Sequence, residues 1–212
     1  METIPFIEYI KKLIKQAHRY QNTKISTGEC FMPKYKFGVY KWVFLIISLL
    51  FYIFSRDFNS NILNTFITAL SILVGLLANL LMTVYNMFLK LDGEITDTIY
   101  KKRVIIKKAT FFQQFGYLNA YAILLSVLCI ILCIIVQLPN FPSISVFDLL
   151  QYEFSFRICD ILFVVLIWGY SLVKATLVYF ALDLLYIVIF SISSFVDYLN
   201  GEISRMKENK NV

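Results

Sequence analysis

From Ile158 to Leu199 the chain runs for roughly 42 residues interrupted by only four charges, Asp160, Lys174, Asp183 and Asp197. As one helix rising about 1.5 Å per residue, this segment would extend about 63 Å, twice the ~30 Å hydrocarbon thickness of a bilayer. Part of it must therefore leave the membrane. The expected crossing starts near Asp160 and reaches the inner boundary around Tyr179 to Asp183. The stretch from Asp183 to Leu199 is then an apolar helix below the membrane, which needs protein partners from the same chain or from neighbouring copies. Three other runs are long enough to test as spans: residues 37–54, 62–89 and 115–137. With 59% hydrophobic and 16% charged residues and a mean hydropathy of +0.70, the chain lies outside the range of soluble domains. The expected fold class is all-α, with four transmembrane helices and helical cytoplasmic extensions.

The cations order these spans. Lys11, Lys12, Lys15, Arg19, Lys24, Lys34, Lys36 and Lys41 precede or open the first run. Lys90, Lys101, Lys102, Arg103, Lys107 and Lys108 separate the second from the third, and Arg205, Lys207 and Lys210 follow the last. The other two connections carry one arginine each, Arg56 and Arg157. Because positively charged loops are retained on the cytoplasmic side, both termini are expected inside, as an even number of spans requires. The net charge of +6 then follows from topology and favours anionic lipid. No apolar stretch followed by a small-residue cleavage site opens the chain, so no cleaved leader is expected.

Residues 1–20 place Phe6, Ile7, Ile10, Leu13, Ile14 and Ala17 on one helical face, with Lys11, Lys12, Lys15 and Arg19 elsewhere. This pattern suits a helix lying in the membrane interface, and equally a helix docked on the rest of the protein. Residues 21–36, with Gly28 and Pro33, read as a linker. Residues 37–199 form the transmembrane domain, with a cytoplasmic helical hairpin around 90–114 broken near Gly93. The outer connection after Gln137 holds two prolines and an amphipathic "VFDLLQYEF", and residues 200–212 are a cytoplasmic tail.

Within the second span, Asn64, Thr68, Ser71, Gly75, Asn79, Thr83 and Asn86 recur at steps of three and four, close to the 3.6-residue helical turn. They form one polar stripe on a helix that is otherwise Leu, Ile, Val, Phe and Met, so that face should turn from lipid. Two readings stand: a helix-packing seam in which amides and hydroxyls bond across the contact, or the wall of a water-lined pore in an oligomer. Lys174 is the single intramembrane cation. It either snorkels to the inner headgroups, meets a partner such as Asn79 across a subunit contact, or faces an aqueous path.

Catalytic signals are nearly absent. His18 is the only histidine and has no acid, serine or cysteine arrangement around it, and there is no glycine-rich phosphate loop, H-E-x-x-H or C-x-x-C. Cys129 and Cys133 share a face at i, i+4 but read as small core hydrophobes, so no metal or cofactor is expected. The chain is not expected to be an enzyme.

The segment "ALSILVGLLANLLMTVYNMFLKLDGE", the basic hairpin after it and "YLNAYAILLSVLCIIL" together resemble the small four-span membrane proteins of prokaryotic antiphage systems. Examples are the membrane accessory beside Cas13b effectors in type VI-B CRISPR loci and the membrane subunit of the Kiwa system. The resemblance covers the layout from about residue 37 to 199. It implies an inner-membrane defence component of a bacterium that cooperates with a cytosolic, nucleic-acid-directed partner, either a Cas13b-type effector or a second Kiwa subunit. Expected partners are membrane lipids and further copies of the chain, with direct nucleic-acid contact open. Two functions are expected from these features. One is an oligomeric pore or membrane-perturbing effector lined by the Asn79 stripe. The other is a sensor or scaffold whose basic face, Lys11, Lys12, Lys15, Lys101, Lys102, Arg103, Lys107 and Lys108, recruits a partner or binds lipid.

Overall fold

A computed structural model of the chain describes residues 5–21, 38–54, 58–91, 99–138 and 158–210. The described residues form five helices and no strand: α1 (Pro5–Gln21), α2 (Val39–Phe54), α3 (Ser60–Leu91), α4 (Ile99–Gln137) and α5 (Ile158–Lys210). Three contain segments long and apolar enough to cross a membrane, Ser60–Met87, Lys108–Gln137 and Leu162–Gly201. The fourth expected span, α2, is shorter at 16 residues, about 24 Å. The expected linker at 22–36, the break near Gly93 and the connection at 139–157 lie outside the described residues.

Local chemistry sets several helix ends. Asn59 caps α3: its side-chain Oδ1 accepts the Asn61 backbone N–H at 2.9 Å and its carbonyl accepts that of Leu63 at 3.1 Å. α4 stops where Pro139 follows in sequence, with Leu138 N–H turned back to the Ile135 carbonyl at 3.2 Å. The long apolar run becomes a single 53-residue helix, α5, which runs on through the expected tail as far as Lys210. Its length is about 80 Å.

The chain divides into two compact units, each with its own core. The first comprises α1 and the portions 75–91 of α3, 99–124 of α4 and 185–210 of α5. Here α4 and α5 run antiparallel, with Phe111 stacked on Tyr198 at a centroid distance of 4.1 Å and 4° between planes, and Phe115 against Phe195 at 5.7 Å. The last turns of α1 dock on α4. Ala17 is buried, Tyr20 stacks on Tyr117, His18 packs against Tyr121, and Gln114 Nε2 donates to the Tyr20 carbonyl at 3.0 Å. Of the two positions open to α1, docking therefore describes its C-terminal half. Phe6 and Tyr9 at the other end stay exposed, so that end keeps an apolar surface.

The second unit comprises α2 and the portions 60–74 of α3, 125–137 of α4 and 158–184 of α5. Cys129, Cys133 and Ile167 are in its core, the two cysteines as fully buried free thiols. They fill space as small hydrophobes. Between Phe111 and Cys129 of α4, Phe111, Phe115, Leu118, Ala122, Leu125 and Cys129 are buried at steps of four and three, the spacing of a helix face that packs on others. α4 is accordingly the best-covered span, with 44% of its most apolar window buried against 33% for α5 and 11% for α3.

Candidate functional site

Beside the buried Asn119–Ser191 pair of the first unit, two groups of polar residues in the spans bear on function. One is inside the second unit, the other on the outside of α3.

The inside group is held between α2 and α5. Ser48 Oγ donates to the Ala175 carbonyl at 2.6 Å, a buried contact that fixes the register of the two helices. Seven residues before Ser48, about 10.5 Å along α2, lies Lys41; eight after Ala175, about 12 Å along α5, lies Asp183. In an antiparallel pair these two fall at one level, and the Asp183 carboxylate acts electrostatically on the Lys41 ammonium. Both are buried, Lys41 at 8% exposed and Asp183 at 3%. Lys174 is 1% exposed. Its Nζ lies 4.7 Å from the ring centroid of Tyr170, one turn earlier on the same helix, and the Tyr170 hydroxyl donates to the Val136 carbonyl at 2.9 Å. The aromatic face supplies the ammonium with an electrostatic partner of about 0.5–2 kcal/mol. Lys174 thus points into the helix packing. Lys174 and Asp183 are nine residues apart and hence on opposite sides of α5, yet both are buried, so α5 is enclosed from two sides in this unit. Ser171 Oγ is buried among these groups without a hydrogen-bond partner among the described residues. Sequence reading had counted Lys41 only as a topology signal and missed Ser48, the lone polar residue deep in the first span.

The outside group is the α3 stripe. Asn64, Thr68, Ser71, Gly75, Asn79, Thr83 and Asn86 are all exposed. The helix packs on its own chain through Leu63, Leu70 and Leu77 at steps of seven. Among the described residues the stripe is therefore not α3's seam with its own chain, and it is joined to it at one end, where Gln137 Nε2 donates to Asn64 Oδ1 at 2.9 Å. Three hydroxyls turn back on the helix: Thr68 to the Asn64 carbonyl, Ser71 to that of Ile67 and Thr83 to that of Asn79, at 2.9 to 3.0 Å. This internal bonding makes hydroxyls tolerable at any depth. It does nothing for the carboxamides of Asn79 and Asn86, which remain on the surface beside Gly75, whose missing side chain leaves open space.

Of the basic residues, Lys11, Lys12 and Lys15 stand exposed on α1 and Lys108 is half-buried near the start of the α4 span. The side chains of Lys101, Lys102, Arg103 and Lys107 lie outside the described residues. Among the described residues no group of three His, Cys, Asp or Glu is placed to hold a metal. Comparison with family models, with curated proteins and with solved structures finds no match to this chain.

Proposed function

We propose that this chain is a four-span inner-membrane protein with both termini in the cytoplasm, working as a homo-oligomer that perturbs or permeabilises its membrane along the polar face of α3. The observation that carries this reading is the exposure of all seven stripe residues on the least covered of the three long apolar helices. A carboxamide facing lipid has no partner, and its transfer from water to an alkane costs several kcal/mol, about 4–8 on the cyclohexane scale. Contact with the same face of another copy, or with water in a shared path, removes that cost. Gly75 and Ser71 let the backbones approach, and side-chain hydrogen bonds between membrane helices contribute about 0.6–2 kcal/mol each. Asn79 and Asn86 are the residues assigned to the path.

The resemblance to antiphage four-span proteins supplies the setting: a defence component that answers to a cytosolic, nucleic-acid-directed partner. The alternative, a sensor or scaffold that recruits such a partner through its basic face, draws on the exposed Lys11, Lys12 and Lys15. A potential-sensitive dye in expressing cells separates the two. Depolarisation by wild type that is lost in Asn79→Leu, at equal membrane abundance, supports the pore. An undiminished response in Asn79→Leu rejects the stripe as a pore wall.

A further inference from the structure

The first unit contains a cleft of about 340 Å³ between the inner parts of α3 and α4, lined among others by Leu81, Met82 and Tyr85 and by Phe112, Gln113 and Gly116. Its walls are almost wholly apolar. Position 116 opens onto free space: a Cβ there would meet nothing within 4 Å. Phe112 lies one turn before Gly116 on the same line of α4, and Lys108 one turn before Phe112, so a cation stands about 6 Å along the axis from the end of an apolar slot. Tyr85, exposed on the α3 side, is the amphipathic aromatic expected where acyl chains meet headgroups.

We propose that this cleft is a binding site for an anionic phospholipid, one acyl chain lying against Phe112, Gly116, Leu81 and Met82 and the headgroup phosphate held by Lys108. The shape and polarity select the occupant. A slot that is apolar along its length, on a helix that carries a lysine one turn beyond Phe112, complements an amphiphile with a long hydrocarbon part and a negative head. The inference rests on the membrane reading but not on the α3 stripe being a subunit contact.

The test is photolabelling of the full-length protein in phosphatidylcholine nanodiscs, with either phosphatidylglycerol or phosphatidylcholine carrying a diazirine on one chain, at equal mole fraction. Adducts are located by peptide mapping. The expected result is labelling of the Phe112 to Gly116 peptide about five-fold stronger with phosphatidylglycerol, the factor that matches ~1 kcal/mol for one lysine near anionic lipid. Gly116→Leu fills the slot and should remove the adduct at unchanged thermal stability, since the added side chain enters open space. Lys108→Gln should bring phosphatidylglycerol labelling down to the phosphatidylcholine level while leaving the latter intact. Equal labelling by the two lipids in wild type, or labelling that survives Gly116→Leu, overturns the site. So does an unlabelled cleft that cross-links to another copy, because the occupant is then protein. Loss of Asn79-dependent oligomerisation leaves all these outcomes readable.

Discussion

Removing Lys41 and Asp183 singly and together tests whether the inside group is a coupled pair. Lys41→Met leaves the Asp183 carboxylate at 3% exposure without its cation. Asp183 sits far from either end of a 53-residue helix and cannot move to water without displacing α5. Breaking a buried pair by removing one partner costs about 3–5 kcal/mol, and the Lys41→Met cost should fall near the lower end, about 3 kcal/mol, because the carboxyl can neutralise by taking a proton. Asp183→Asn should cost less, about 1–2 kcal/mol, because Lys41 is in the first turn of α2 and its stem can carry the ammonium outward. In the double variant the uncompensated charge is gone, and replacing a buried pair by uncharged groups of similar volume is often nearly neutral. The double should therefore be more stable than Lys41→Met alone, with a coupling of about 1.5–3 kcal/mol. The assay is reversible unfolding of the purified protein in mixed micelles with increasing denaturing detergent, followed by helicity and tyrosine fluorescence. Additive single effects, or a coupling below about 0.5 kcal/mol, would refute the reasoning, since independent sites add within that margin.

The remaining predictions concern the two cores. Ser48→Ala removes the donor to the Ala175 carbonyl and should destabilise by about 1 kcal/mol in the same unfolding assay, while Ser48→Thr, which keeps a hydroxyl, should recover most of the loss. Tyr198→Leu loses the face-to-face contact with Phe111 and should cost about 0.5–1.5 kcal/mol beyond the area effect.

Much of the architecture is legible residue by residue. A helix at the stripe needs only the three-and-four spacing from Asn64 to Asn86. The length of α5 follows from an apolar run with no proline or glycine cluster to stop it. These are local properties, set by backbone geometry and by the cost of exposing apolar or polar groups, and they require no knowledge of neighbours. The apolar pattern ends at Leu199, and α5 continues to Lys210 into the expected tail, since nothing in "NGEISRMKENK" terminates a helix that is already formed and elongation costs far less than nucleation.

What only the tertiary structure decided is the azimuth of each polar group relative to a partner. Sequence puts Lys174 and Asp183 on opposite faces of one helix and leaves headgroups, a partner or water open as the surroundings of Lys174; packing on both sides of α5 buries the two side chains. It showed a stripe on α3 that must avoid lipid but not whether its own chain covers it. The leucines at positions 63, 70 and 77 take that role, and the stripe faces outward. The physical reason is common to both cases. Periodicity determines which residues share a helix face, whereas the side from which another helix approaches depends on side chains distant in sequence.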